Sequence, residues 1–303
     1  MTTASTAATG PTAENTATAV IGATGRVGSK VVRLLLERGT TVRALVRNTE
    51  KARTLFGDAP GLEIVSPRLD DPAAVAAALT GADTAFVAMG SAGLEGNLQR
   101  VVIQAAAATP GLRQFVRLSV LNAGPDSFGL NQRGHWDIDF AAQLAGLPYS
   151  TIRPSIFSAS LLIAAPEVRA SRTWTGLADT GRVALSDDRD AAEAVVRVLT
   201  DPATWGRHHD LTGPRLVSWP QALEALSAEL GEKVTFRAVD AFELVRRLVS
   251  LGVAPGQAQL LVTREWAILA GENERTTTTV EQLTGHAPRT VEDYLHEHRE
   301  VFV

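Results

Sequence analysis

Gly22, Gly25 and Gly28 stand three residues apart between an apolar run, Ala19-Val20-Ile21, and a segment whose Val31, Val32, Leu34, Leu35 and Leu36 give a helix an apolar face. A strand, a turn free of side chains and a helix start, in that order, can hold a pyrophosphate. Its negative charge must come close to backbone N–H groups at the helix N-terminus, and a side chain in the turn would block that approach. Gly28, one turn into the helix, lets helix and strand pack closely. The spacing is G-x-x-G-x-x-G, not G-x-G-x-x-G, so the glycines alone are a weak signal. The flanking strand and helix favour a dinucleotide site over a purely structural tight turn. The next strand, residues 40–47, ends in Arg47 and Asn48, with Lys51 one turn on. An acid there would bind a ribose 2′-hydroxyl. Cations and an amide suit a 2′-phosphate instead, which favours NADP(H) over a merely solvated strand end.

His135 and Asp139 form a second group with chemistry. They are four apart on one face of residues 130–144, which read as a helix from the recurrence of Trp136, Phe140 and Leu144. An imidazole titrates near neutrality, so His135 is a candidate proton donor or substrate orienter, with Asp139 orienting the ring. The competing reading is a surface pair on a solvated helix. His208 and His209 would face opposite ways on a strand, and Asp187, Asp188 and Asp190 have no metal-ligand spacing, so no metal site is read.

These residues need elements to position them. Strands at 62–65, 82–89, 114–120 and 148–154 alternate with helices at 50–57, 73–79, 94–108 and 130–144. That alternation predicts an α/β fold, a Rossmann-type doubly wound parallel sheet. Strand ends face the ligand crevice in such sheets, so Ala88, Met89 and Gly90 are cofactor-lining candidates, with Met89 alternatively core. Residues 156–165 are apolar and cover a pocket. Residues 181–185 read as a short strand, 190–199 as a helix and 209–212 as the last strand of the sheet. The remainder predicts a smaller C-terminal α/β lobe, with helices at 218–230, 240–251 and 257–270 and a strand at 233–239. The division expected is a disordered tail at 1–16, a dinucleotide-binding domain at 17–153 completed by 190–213, and a substrate lobe from 154–189 and 214–303.

The chain has no cysteine, which excludes disulfides, thiolate metal sites and a cysteine nucleophile. A net charge of −4 argues against a nucleic-acid surface. No apolar run approaches a membrane span, and the first basic residue is Arg26, so no signal peptide is read. The expectation is a cytoplasmic monomer or homodimer acting on a small molecule.

The stretches 20–28, 44–48, 69–72, 118–123, 144–154, 190–192, 210–214 and 283–289 together resemble the NmrA-like branch of the atypical short-chain dehydrogenase/reductase superfamily. They are similar to its bacterial NADPH:quinone reductases. The resemblance implies an NADP(H)-binding lobe with Gly22, Thr24, Gly25, Arg26, Val27 and Gly28 at the pyrophosphate and Arg47 and Asn48 at the 2′-phosphate. It implies that Ser119, at the end of the fifth strand, approaches the nicotinamide and the substrate oxygen; a buried structural serine is the alternative. Asn122 is a weaker substrate candidate. Pro154, Ser155 and Ile156 are expected at the nicotinamide end. Phe157, Trp136 and Trp266 form a candidate aromatic substrate wall, with core packing the alternative for each. The chain departs from the family's pattern at Pro67-Arg68, where a Gly-Asp pair usually stands. Arg68 is thus a candidate for adenine stacking, for a cation near the 2′-phosphate, or for a solvated position.

Short-chain reductases typically use a Tyr-x-x-x-Lys pair on the helix where this chain has His135 and Asp139. Its lysines are Lys30, Lys51 and Lys233, none of them there. An unactivated ketone develops a strongly basic alkoxide and benefits from a matched acid, whereas a quinone or other electron-poor conjugated acceptor spreads charge onto an acidic oxygen. The sequence therefore favours an NADPH-dependent oxidoreductase acting on such an acceptor. The alternatives are an NADP(H)-sensing regulator without turnover and a redox-neutral isomerase or epimerase.

Overall fold

The computed structural model describes residues 17–90 and 93–303. Its strands are β1 (Ala17–Ile21), β2 (Thr41–Leu45), β3 (Leu62–Val65), β4 (Thr84–Val87), β5 (Gln114–Leu118), β6 (Tyr149–Pro154), β7 (Thr173–Gly176), β8 (His208–Leu211) and β9 (Thr235–Ala238). Seven of them form one parallel sheet in the order β3-β2-β1-β4-β5-β6-β8. The helices are α1 (Arg26–Glu37), α2 (Thr49–Phe56), α3 (Pro72–Leu79), α4 (Gly93–Ala107), α5 (Leu130–Leu144), α6 (Ala165–Ser171), α7 (Asp188–Thr200), α8 (Trp219–Leu230), α9 (Ala241–Ser250), α10 (Pro255–Leu269), α11 (Thr279–Thr284) and α12 (Val291–Glu297). The tail expected at residues 1–16 lies outside the described residues.

Both faces of the sheet are covered, which is why its central strands read as continuous apolar runs. Alternation along each strand sorts the side chains. Val20, Val42, Phe86, Val116 and Ile152 join the core with α1 and α7. Ala19, Ile21, Ala85, Val87 and Phe115 join the opposite core with α3, α4 and α5. In α1, Val27, Val31, Val32 and Leu35 are buried at helical spacing. In α7 the apolar stretch from Ala191 to Leu199 is buried nearly all round, because α1, α11 and the sheet enclose it.

The strand order reverses between β1 and β4, so the C-terminal ends of these two strands open a crevice. After β6 the chain leaves the sheet, returns through α7 to β8, and leaves again. The excursions build the smaller lobe, where β7 pairs in parallel with β9. Its core is Trp174, Trp219, Leu223, Leu226, Ile268 and Phe302, with the two indoles 5.1 Å apart between ring centroids.

Two elements differ from the sequence expectation. Residues 181–185 are not a strand; Val183 makes a single antiparallel bridge to Val217. Gly181 is pressed against the Ile268 backbone, where a Cβ would lie 2.5 Å from the carbonyl oxygen. The lobe's parallel partner for β9 is Thr173–Gly176 instead, a four-residue strand too short to carry a readable alternation. Residues 158–164 form a 3-10 turn leading into α6. No helix of the described residues is long and apolar enough to cross a membrane.

The glycine turn is held by close backbone contact. A Cβ on Gly28 would lie 2.2 Å from the Gly22 carbonyl oxygen, and one on Gly22 2.1 Å from that of Ala88. Gly28→Ala is therefore expected to lower stability by about 1–3 kcal/mol in chemical denaturation, the cost of overpacking against a rigid neighbour. Gly256→Ala, in the first turn of α10 with open space around it, is the matched control. Its expected change is neutral to about 1 kcal/mol stabilising.

Candidate active site

A cleft of about 480 Å³ lies in the crevice between β1 and β4. Gly22, Thr24, Gly25, Arg26, Val27 and Gly28 line it from the first turn and helix. Arg47, Asn48 and Lys51 line it from the end of β2, and Ala88, Met89 and Gly90 from the end of β4. Gly25 caps α1 without a side-chain acceptor, so the cap leaves the first-turn amides to a ligand. The cations Arg26, Arg47 and Lys51 face one acid, Glu95, which accepts from the Gly90 amide at 2.9 Å and lies 3.6 Å from Arg47. Helix-start amides, three cations and glycines at the closest approaches fit a dinucleotide carrying an extra phosphate. The side chain of Asn48 accepts from the Lys51 amide at 2.8 Å, so it is the N-cap of α2 as well as a cleft residue. Arg68 does not line the cleft; it pairs with Asp70 in solvent at 3.1 Å.

A second cavity of about 330 Å³ adjoins the first, and Met89, Leu118 and Phe157 line both. Ser119, His135, Pro154, Ser155 and Ile156 line it from the sheet side, and α10 closes the other wall. Behind Ser119 and His135 lies a buried polar network centred on Arg117 of β5. Its guanidinium is fully buried. One nitrogen, Nη1, pairs with Asp139, while Nη2 lies 2.7 Å from His135 Nδ1 and Nε donates to Gln99 Oε1 at 3.1 Å. Asp139 also accepts from Ser119 Oγ at 2.9 Å and from Arg153 at 3.1 Å. Gln99 in turn donates to the carbonyls of Met89 and Gly90 at the cleft.

The network fixes the histidine's proton. A guanidinium only donates, so Nδ1 must accept, and the neutral ring carries its hydrogen on Nε2. Burial, and then the Arg117 charge, push the His135 pKa well below the ordinary imidazole value. His135 is thus a neutral imidazole on the cavity wall, with Nε2–H as its remaining donor. Burial also lowers the pKa of Arg117, against the opposing pull of Asp139, yet a guanidinium has ample margin and stays charged.

Several sequence expectations need correction. His135 and Asp139 are 6% and 4% exposed, so the competing reading of a surface pair is excluded. Asp139 does not orient the imidazole, because Arg117 takes that place and Asp139 serves Arg117, Ser119 and Arg153. Trp136, Trp266 and Asn122 are not among the cavity-lining residues. Trp136 stacks on Phe140 at 5.4 Å, Trp266 is 45% exposed, and Asn122 donates to the Glu272 carbonyl. Phe157 does line the cavity.

The sequence reading passed over Arg117, Gln99, Arg153 and Glu95. The available signal was a lone charge inside the apolar run Phe115-Val-Arg-Leu118, which demands a buried partner. Among the described residues one group has metal-ligand types close together: Asp190, Glu193 and His286, within 4.8 Å. Arg289 already pairs with both carboxylates, and His286 lies 2.7 Å from Glu193, so a guanidinium supplies the cation there.

The NmrA-like family model matches residues 14–295. The chain is 30% identical over 289 residues to the NAD(P)H azoreductase of Xenophilus azovorans, covering 93% of this chain and 98% of that protein. It is 27% identical to quinone oxidoreductase 2 of Escherichia coli strain K12, covering 90% and 95%. Among solved structures it superposes on the NADPH complex of the E. coli quinone oxidoreductase QOR2 with a TM-score of 0.85 at 26% identity, covering 93% and 99%. The negative transcriptional regulator NmrA shares the fold, with a TM-score of 0.77 at 19% identity, covering 95% and 97%.

Arg117→Met leaves Asp139 short of its main partner, and removing one member of a buried ion pair costs about 3–5 kcal/mol in denaturation midpoint experiments. The sign for His135 follows from its depressed pKa. Below the ordinary imidazole pKa the unfolded chain binds a proton that the folded chain refuses, so stability present at pH 7 is lost on acidification. The stability difference between wild type and His135→Asn should shrink toward pH 5, with a limiting slope of about 1.4 kcal/mol per pH unit.

Proposed function

This chain belongs to the NmrA-like family, and we propose how it acts: it is an NAD(P)H-dependent oxidoreductase of the azoreductase and quinone-reductase type, working on a quinone or another electron-poor conjugated, aromatic small molecule. The single observation that carries the acceptor reading is the neutral His135, locked by Arg117 with Nε2–H left to the cavity. Neither tyrosine and no lysine lines that cavity, which fits chemistry without a Tyr-Lys dyad.

When bound, the dinucleotide supplies a hydride. The chain's own residues bind and position. Amides of Arg26, Val27 and Gly28 receive the pyrophosphate, the Gly25 amide being used within the turn on the Gly22 carbonyl, and Arg47 with Lys51 receives the 2′-phosphate. Pro154, Ser155 and Ile156 flank the nicotinamide end. Ile156, Phe157, Leu260 and Leu261 keep water from the acceptor. His135 donates a hydrogen bond from Nε2 to the acceptor oxygen, where negative charge develops. The Ser119 hydroxyl donates its hydrogen bond to Asp139, so toward the cavity it offers only an acceptor. No residue on this wall is a strong acid, and an electron-poor conjugated acceptor needs none, because its reduced oxygen is itself acidic.

Purified protein should oxidise NADPH, followed at 340 nm, across a panel of quinones, and should leave simple ketones untouched. His135→Leu should lower kcat about a hundredfold, the scale of a lost oxyanion donor, with the dissociation constant for NADPH unchanged. Arg47→Glu should raise the KM for NADPH more than tenfold, roughly the value of one charge-assisted phosphate contact, and move that for NADH far less. NADPH binding without oxidation by any member of the panel would instead mark a sensor of the dinucleotide.

A further inference from the structure

The second cavity has an uneven charge that the hydride chemistry does not require. Among the described residues its lining holds no aspartate or glutamate, and its histidine is neutral. The one permanent charge among them is Arg264, on α10. Gln257, Leu260, Leu261 and Arg264 recur at helical spacing and present a single stripe to the cavity. Arg264 is anchored from behind. Its Nε and Nη2 donate to Glu265 Oε1 at 3.3 and 2.8 Å, and its guanidinium lies 5.9 Å from the Trp219 ring centroid. Glu265, itself buried, spends its other oxygen on Trp219 Nε1 at 2.8 Å and the Ala178 amide at 3.3 Å. That leaves Arg264 Nη1 without a protein partner among the described residues. Asn273, only 1% exposed, lines the same cavity, and its Nδ2 has no acceptor. A buried donor left unpaired is destabilising, so this one calls for an acceptor from the ligand.

We infer that Arg264 and Asn273 form an oxyanion subsite, and that the preferred acceptor carries a carboxylate, sulfonate or phosphate group besides the conjugated system that is reduced. The inference rests on the reading of this cavity as the acceptor site. A fixed guanidinium over an aromatic ring, with one free edge, suits the planar or trigonal face of such a group. Buried Glu265 offsets part of the charge, so discrimination between an anionic acceptor and its neutral parent rests on the Arg264 Nη1 and Asn273 Nδ2 donors, which a negative oxygen satisfies better than a neutral one.

The test compares 1,2-naphthoquinone with 1,2-naphthoquinone-4-sulfonate, and measures binding of the non-reducible 2-naphthalenesulfonate to the NADP+-loaded protein by tryptophan quenching. Wild type should show a KM for the sulfonate at least tenfold lower, about the worth of one charge-assisted contact, with naphthalenesulfonate affinity falling as salt rises. In Arg264→Gln the sulfonate preference should collapse to within about threefold, and naphthalenesulfonate binding should weaken by at least tenfold. Because Arg264→Gln also strips a partner from buried Glu265, Asn273→Asp serves as a second variant; its carboxylate should repel the sulfonate and reverse the preference. Equal KM values in wild type, or a preference that survives both variants, would overturn the inference while leaving quinone reduction intact. Loss of naphthalenesulfonate binding in both variants of a protein that reduces no quinone would uphold the subsite and sink the acceptor reading.

Discussion

A guanidinium in the middle of a strand covered on both faces must be satisfied from within, and Arg117 sets that requirement. Taking such a charge out of water costs several kcal/mol, and its attraction to one carboxylate does not reliably repay it. Here the repayment is spread over Asp139, the His135 ring and the Gln99 amide. Each partner is pinned as a result. α5 can sit against β5 only where residues 135 and 139 meet the guanidinium, and the imidazole can take only the tautomer that leaves its hydrogen on Nε2. Through Gln99 the same group reaches the carbonyls of Met89 and Gly90, which follow β4 at the dinucleotide cleft. One buried charge thereby holds one wall of the second cavity in register with the lining of the first.

What could be read in the sequence follows from how local each determinant is. The turn from Ile21 to Gly28 depends on close backbone approaches that only glycine permits, and glycine is visible as a letter. The strands of the sheet were legible because both of its faces are buried, so the runs stay apolar. Partnerships across elements were not. His135 and Asp139 share a helix face, and spacing alone pairs them; the strand behind them interposes Arg117, whose side chain takes one nitrogen to each. The aromatic candidates failed for a related reason. Trp136 follows His135 directly and so sits about 100° round the helix from it, and Trp266 is two places past Arg264, about 200° from the cavity stripe. Aromatic composition indicated a wall; helical phase decided which rings face it, and of the three only Phe157 does.

The two cavities divide the electrostatic work. The dinucleotide end gathers Arg26, Arg47 and Lys51 with helix-start amides against the single carboxylate of Glu95. That carboxylate is partly engaged already, because the Gly90 amide donates to it. A 2′-phosphate meeting Arg47 would therefore compete with a weak partner: the 3.6 Å contact with Glu95 is long, and Arg47 is 76% exposed, a setting in which ion pairs contribute little. Attraction at that end would be mainly to phosphate charge. The second cavity is arranged the other way. Three of its polar groups are committed inward: Ser119 to Asp139, His135 Nδ1 to Arg117, Arg264 to Glu265. Each presents only its remaining donor or lone pair to a ligand. A wall built of half-spent groups cannot deliver a proton forcefully. It can, however, hold a flat molecule in one orientation at small reorganisation cost, because the inward bonds fix the groups before the ligand arrives. Orientation without strong acid is what hydride acceptance by an electron-poor ring would ask of a protein, so the buried charge in β5, which fixes this wall, is the feature on which the proposed reaction depends.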